Sequence, residues 1–369
     1  MKSVIGKSIF DLDTPALIVD IDVLERNIAR QQRAADAAGL QMRPHIKAHK
    51  TPEIAHMQLA AGAVGVTAAK ISEAEVFATA GVRDIFIANE LVGPQKLARL
   101  VALSRRVDRL SVAVDSMDVA QPLSDAFAAA GLAIDVLIEM DNGAGRCGVT
   151  EDGLLPLAER VAELPALRLV GVMAYCPHAY KVRGREEQAK VAAWEGRWLA
   201  AQADRLRAAG FDVQRVSGGS TPTAPHYQPG CGLTEIRPGT YCLNDQDQVT
   251  LGTCTRDDVA ASILATVISR PGPERAILDA GAKAIGLGAS PLSDGYGFHR
   301  HGPERLYKIN DEHGYLDVSE SPAPPKVGDK LAIIPPRICT CINYHDWLYI
   351  VRDGRVEDVW RIAARGTIR

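Results

Sequence analysis

At 369 residues the chain is too long for one ordinary hydrophobic core and too short for more than two or three domains. With 47% hydrophobic and 24% charged residues it is neither disordered nor fibrous. Its 42 basic and 45 acidic residues leave a net charge of −3, and no basic stripe with interleaved aromatics overrides that balance, so no nucleic-acid partner is expected. No apolar run of about 18 residues is present to span a bilayer, so no membrane partner is expected either. The opening stretch MKSVIGKSIFDLDTP lacks the pattern of a signal peptide. Seven cysteines without paired spacings suit free thiols in a reducing compartment. A cytoplasmic enzyme is the expectation.

From residue 15 to about 217, short β-branched runs alternate with amphipathic, alanine-rich stretches. The expected strands are Ala16–Asp20, Gln41–Ile46, Gly65–Ala69, Asp84–Ala88, Leu110–Asp115, Ile134–Met140, Leu167–Tyr175 and Val213–Ser217. Gly39, Gly81 and Gly210 punctuate the junctions. Eight strand–helix pairs predict a (β/α)8 TIM barrel, and the lack of a G-x-G-x-x-G after the first strand argues against a doubly wound sheet. After about residue 245 the runs ASILATVIS, RAILDAG, KLAIIPP and WLYIVRDGRVEDVWRI predict a mostly-β domain, with a hairpin turn at Asp353-Gly354 and a long loop over Gly286–Pro303. The expected division is a barrel over 13–244 and a β domain over 245–369 joined by 1–12.

Three barrel segments carry chemistry. In RPHIKAHK, strand parity puts Met42 and Ile46 toward the helices and Arg43, His45 and Lys47 inward, at the carboxyl end where barrel active sites form. A lysine crowded by cations becomes a nucleophile at neutral pH; a solvated basic loop is the competing reading. SGGST, from Ser217 to Thr221, can converge N–H groups on an anion, and RPGTY offers a second Gly-Thr turn. A Schiff-base lysine and a phosphate cradle together are what a pyridoxal phosphate enzyme needs. Arg146, in the glycine-rich loop of IEMDNGAGRCGV, faces the cofactor ring or a substrate carboxylate, or else pairs with Glu139 or Asp141. Tyr175 either meets the cofactor or fills the core.

RPHIKAHK, AKISEAE, ANELVGP, GAGRCGV, VSGGST, INDEHG and VEDVWRIAARG together resemble the D-threonine aldolase, D-serine dehydratase and 3-hydroxy-D-aspartate aldolase family, from about Asp13 to Gly366. That family belongs to the alanine-racemase-like, fold type III pyridoxal phosphate enzymes. The resemblance implies that Lys47 forms the Schiff base, and that Arg146 and Tyr175 face the cofactor ring. It implies a phosphate cradle of Ser217, Gly218, Gly219, Ser220, Gly239 and Thr240, joined by Tyr241 as a further cofactor contact, and a homodimer with sites near the interface.

The chain departs from the family at two functional places. The family's divalent metal sits on a His-x-Cys or His-x-Asp pair; counting back from N-x-H-D-W, that pair falls on Arg337 and Cys339. Arginine has no lone pair to donate, so the metal is expected to be lost. Cys339, with Cys341, His345 and Asp346, is a conceivable replacement set, and reduced core cysteines are its competing reading. The family's base histidine falls on Lys181, with His178 three residues earlier; either is a candidate base.

The expected activity is therefore a lyase that cleaves D-3-hydroxy amino acids to glycine and an aldehyde or keto acid, adapted away from metal. Arg337 would bind the β-hydroxyl or a carboxylate beyond it. The alternatives are a dehydratase, an amino-acid racemase using Lys47 with a second base, a non-catalytic cofactor carrier, and a cofactor-free Schiff-base aldolase.

Overall fold

The computed structural model describes residues 2–286, 292 and 295–369. Two compact units share the chain: Arg30–Lys47, Ile54–Gly239 and Thr367–Arg369 form one, and Met1–Ala29, Ala48–Glu53 and Thr240–Gly366 form the other.

The first unit is built on an eight-stranded parallel sheet. Its strands are β2 (Gln41–Met42), β3 (Val66–Ala68), β4 (Asp84–Ile87), β5 (Arg109–Val114), β6 (Ile134–Glu139), β7 (Leu167–Met173), β8 (Arg215–Gly218) and β9 (Glu235–Ile236), in the order β2-β9-β8-β7-β6-β5-β4-β3. A parallel bridge from His45 to Thr67 brings the two ends of the sheet together, with the Thr67 N–H donating to the Pro44 carbonyl at 2.8 Å. The alternation of strands such as RLSVAV and IDVLIE with amphipathic helices has closed into a (β/α)8 TIM barrel. Helices α2 (Pro52–Ala60), α3 (Ile71–Thr79), α4 (Pro94–Ser104), α5 (Met117–Ala129), α6 (Leu154–Ala162) and α7 (Arg185–Ala208) follow successive strands, and α1 (Ile21–Ala37) leads into β2.

Eight strands are present, but one is not among those the sequence pointed to, and one expected strand lies elsewhere. Ala16–Asp20, labelled β1, lies in the other unit, where it pairs antiparallel with one neighbour and parallel with another. The barrel instead gains β9, a two-residue strand between β8 and β2. The expected 13–244 boundary shifts accordingly: residues 13–29 go with the β unit, and Gly239 ends the barrel's main segment. SGGST thus follows the seventh barrel strand, and RPGTY the eighth.

The β unit holds a nine-stranded sheet in the order β11-β14-β13-β12-β15-β10-β1-β16-β17, and an extra β10–β11 pairing curls it back on itself. Beyond β1 its members are β10 (Ala261–Gly272), β11 (Arg275–Leu278), β12 (Phe298–His299), β13 (Arg305–Ile309), β14 (Gly314–Asp317), β15 (Lys330–Ile334), β16 (Trp347–Arg352) and β17 (Arg355–Arg361). Asp353 and Gly354 have φ of 49° and 71°, the double positive φ of a type I′ hairpin turn. Part of the Gly286–Pro303 stretch lies outside the described residues, and its described end contributes β12.

The barrel interior mixes an apolar layer of Phe86, Ala113, Leu137 and Met173 with a buried charged network. Glu235 on β9 is its hub. It accepts from Arg43 Nε at 3.0 Å, from Arg215 Nη2 at 2.8 Å and from the Ser217 hydroxyl at 2.5 Å. Arg237 Nη1 reaches the same hydroxyl at 2.5 Å, and Arg43 also pairs with Asp84 at 2.5 Å. Burial pushes the Glu235 carboxyl upward, but Arg43 and Arg215 outweigh it and hold the group well below the usual carboxylate range. A carboxyl depressed on folding adds stability above its unfolded value of about 4.3 and loses it as pH falls toward the folded one. Glu235→Ala removes the carboxylate that Arg43 and Arg215 share and leaves Asp84 alone to offset the buried charge, so the variant is expected to lose about 3–5 kcal/mol. Urea denaturation at pH 7 and pH 4 checks both points: the wild type weakens in acid, and the variant's profile is flatter.

Candidate active site

Three predicted residues meet at the carboxyl end of the barrel. Lys47 sits in a single 3-10 turn, Ile46–Ala48, just past β2, and Tyr175 lies just past β7. Arg146 is carried by the loop after β6. The Lys47 Nζ stands 5.7 Å from the centroid of the Tyr175 ring, and the Arg146 guanidinium 4.9 Å. The loop returns on itself through a bridge between Met140 and Val149. Gly148 makes that return possible: its φ is +109°, and a Cβ there would stand 2.5 Å from the Asp141 nitrogen.

Arg146 makes the ion pair with Glu139 that was its competing reading, and it also meets Tyr175. Its Nη2 donates to Glu139 Oε1 at 3.0 Å while the guanidinium faces Tyr175. Arg43, expected beside Lys47, is instead turned into the barrel and down to Asp84, at the start of β4. Arg43 faces the barrel interior as parity predicts, but it points away from Lys47, because β2 is only two residues long and Ile46 already begins the turn. Lys47 stands beside the Tyr175 ring, with Arg146 against the same ring and His45 Nδ1 3.5 Å from the Lys47 backbone nitrogen.

The sequence reading missed an acidic group at the same end of the barrel. Glu90 follows β4 and Asp115 follows β5; with Cys147 they offer ligand atoms within 4.8 Å of one another, the only such group among the described residues. Burial, then Glu139, raises Glu90 to about 7, and burial with Glu90 raises Cys147 to about 11. Glu90 stands in the ANELVGP segment already singled out, and its place just beyond a strand end was the available signal.

In the loop after β8, the predicted cradle residues have distinct jobs. Ser217 is fully buried, its hydroxyl committed to Glu235 and Arg237. The Gly219 N–H donates to Glu195 Oε1 at 2.8 Å, and the Ser220 N–H to Thr223 Oγ1 at 2.9 Å. Gly218 ends β8, where a Cβ would meet Glu195 and Leu233. Thr221, only 4% exposed, has no partner for its N–H or hydroxyl among the described residues. Buried donors of this kind at the carboxyl end of a barrel strand suit a phosphate, so the residues fit pyridoxal phosphate. Gly239 ends the barrel's main segment, and Thr240 and Tyr241 open a 3-10 turn in the β unit, both buried.

After β7, Lys181 is exposed at the end of the turn Pro177–Tyr180. His178 is half-buried, with Nδ1 3.4 Å from Cys176 Sγ and its ring edge-on to Trp194 at 5.1 Å. Burial pushes the Cys176 thiol up to about 12, so it stays protonated. Of the two candidate bases, His178 is the one held in place.

In the β unit, Arg337 caps the one-turn helix Ile338–Cys341, its side chain 59% exposed and its Nε 3.8 Å from Asp247 Oδ2. Asp245 ties this corner together, accepting from the Ile338 N–H at 3.0 Å and the Gln248 N–H at 3.1 Å; burial and Asp247 raise it to about 7. Cys339 Sγ lies 3.5 Å from the Thr240 hydroxyl. The replacement set does not converge: Cys341 Sγ and His345 Nε2 both turn to the Ala284 carbonyl, and Asp346 pairs with Arg365.

The fold and the barrel-mouth constellation define a fold type III pyridoxal phosphate enzyme of the alanine racemase kind. The family model for the alanine racemase N-terminal domain matches residues 19–246, and that for a putative serine dehydratase domain matches 260–351. The chain is 41% identical to a D-threonine aldolase of Arthrobacter sp, over 99% of this chain and 96% of that one. It is 35% identical to a D-threo-3-hydroxyaspartate dehydratase of a Delftia species, over 95% and 97%. The crystal structure of D-threonine aldolase from Filomicrobium marinum superposes with a TM-score of 0.89 at 35% identity, covering 99% and 98% of the two chains. The chain belongs to the D-threonine aldolase and D-serine dehydratase family of pyridoxal phosphate-dependent lyases. No helix among its described residues is long and apolar enough to cross a membrane.

Proposed function

We propose that this protein cleaves D-3-hydroxy amino acids between Cα and Cβ, releasing glycine and an aldehyde or keto acid, without a metal at positions 337 and 339. The observation that carries the choice of reaction is Arg337. A guanidinium cannot ligate a metal, and a β-hydroxyl without a Lewis acid is a poor leaving group, so dehydration suffers directly. Retro-aldol cleavage asks only for removal of the hydroxyl proton.

When bound, pyridoxal phosphate serves as the electron sink for the pair released from the Cα–Cβ bond. Lys47 would hold its aldehyde, Arg146 and Tyr175 its ring, and Ser220, Thr221, Gly239 and Thr240 its phosphate, with Tyr241 beside them. His178 takes the β-hydroxyl proton, so that the hydroxyl carbon becomes a carbonyl as the bond breaks; a proton delivered to Cα completes glycine. Lys181, exposed to water, is the weaker candidate for this base. Arg337, exposed and only loosely engaged by Asp247, offers its guanidinium to the β-hydroxyl or to a carboxylate one carbon further out. We further read the working form as a cytoplasmic homodimer with its sites near the interface.

Water elimination is the second reading, supported by the similarity to the Delftia dehydratase. A panel of D-threonine, D-phenylserine, D-serine and both 3-hydroxy-D-aspartates separates the two, assayed for aldehyde or glyoxylate and for ammonia, with and without EDTA. Aldehyde or glyoxylate release that resists EDTA is expected. Ammonia release abolished by EDTA would instead mean a dehydratase with a metal bound elsewhere.

A further inference from the structure

Glu195 lies in the middle of α7 and is completely buried. Its Oε1 accepts the Gly219 N–H at 2.8 Å and its Oε2 accepts the Tyr227 hydroxyl at 2.5 Å. The Tyr227 oxygen is also 3.1 Å from Thr223 Oγ1, which takes the Ser220 N–H. A Cβ on Gly218 would stand 3.0 Å from Glu195 Oε1, so the carboxyl lies flush beneath the two glycines.

Folding alone does not explain this group. Ala192, Leu199, Ala203 and Leu206 pack α7 onto the barrel beside the buried amides of Gln188 and Gln202, and Glu195 is the one carboxyl on that buried face. A buried carboxyl costs free energy, and burial raises its pKa against the hydrogen bonds it accepts. What it supplies that leucine cannot is an acceptor drawing the Gly219 N–H back into the helix side of the loop. Gly219 has a φ of +82°, open to glycine but not fixed by it. With the Gly219 and Ser220 N–H groups tied from beneath, the loop donors left over are the Thr221 N–H and hydroxyl, beside the Ser220 hydroxyl that lies 3.1 Å from Thr223 Oγ1.

We propose that Glu195, with Tyr227, is a positioning residue that fixes the loop after β8 so that Thr221 and its neighbours receive the cofactor's phosphate. The inference rests on reading this loop as the phosphate site. Its test compares pyridoxal phosphate with pyridoxal, which lacks the phosphate, by spectral titration of the apoprotein, together with the phosphorus NMR resonance of the loaded protein. In Glu195→Ala, affinity for pyridoxal phosphate is expected to fall about tenfold or more, pyridoxal affinity to stay within about twofold, and the phosphorus resonance to move. At saturating cofactor, kcat stays within about threefold of wild type. Glu195→Gln keeps an acceptor for Gly219 and is expected to restore affinity to within about threefold of wild type. Tyr227→Phe removes one hydroxyl and weakens phosphate-dependent binding by about threefold; it decides the matter if Glu195→Ala does not fold. The proposal is overturned if these variants keep the wild-type ratio of the two affinities, however much their melting temperatures drop. If the wild type itself does not distinguish the two ligands and Thr221→Val changes nothing, the phosphate-loop reading falls, and this inference with it.

Discussion

Lys47→Ala is expected to remove the visible absorption of protein-bound cofactor and to lower turnover about a thousandfold or more, while the fold survives. Lys47 is half-buried in a single turn at the barrel mouth, so truncating it opens no core cavity. Affinity for pyridoxal phosphate should fall without vanishing if, as proposed, the loop after β8 holds the phosphate. Lys50, the second lysine of RPHIKAHK, supplies the control. It is buried with a φ of 53°, and its Nζ donates to the Ala364 carbonyl at 3.4 Å in the β unit. Lys50→Ala should therefore lower the melting temperature and leave the visible band in place. If the band survived Lys47→Ala and disappeared in Lys50→Ala, the assignment within the motif would be reversed.

Much of this was legible in the sequence, and the errors have physical causes. ALIVD reads as a barrel strand because a short apolar run has the same signature in a parallel barrel and in an antiparallel sheet. Only its pairing with β10 and β16 assigns it to the β unit. Glu235–Ile236 escaped notice for the opposite reason: two residues, one of them charged, carry no periodicity, and what holds them inside is an ion network drawn from three other strands and their ends. The two errors cancelled, so the strand count and the fold came out right with the register one strand out. Lys47, Arg146 and Tyr175 could be named because motif glycines and strand ends mark the barrel mouth. Their convergence on one ring could not, since it depends on side-chain directions from three separate loops. The buried carboxyls Glu90 and Glu195 were invisible for a related reason, as a charged residue in an amphipathic or loop segment looks solvated until its burial is known.

Arg337→His is expected to give the β unit a divalent transition-metal site that the proposed reading denies to the wild type. The substitution restores a His-x-Cys pair with Cys339, close to the Asp247 carboxylate that now faces the Arg337 Nε at 3.8 Å. The backbone at 337 is extended, φ −140° and ψ 106°, and its side chain is 59% exposed, so an imidazole enters without displacing packed atoms. At metal concentrations near a hundred times the dissociation constant, stabilisation should approach about 2.7 kcal/mol, which raises the melting temperature by a few degrees. EDTA should reverse it. Arg337→Lys, which keeps a positive charge and adds no ligand at neutral pH, should show no metal effect. Cys147→Ala in the wild type is the remaining control. A metal-dependent melting shift already present in the wild type and lost in Cys147→Ala would place the ion on Glu90, Asp115 and Cys147 in the barrel. Absent such a shift, metal-dependent stabilisation confined to Arg337→His, accompanied by a rise in ammonia release from 3-hydroxy-D-aspartate or D-serine, would show that one guanidinium sets this chain on the carbon–carbon side of its family's chemistry.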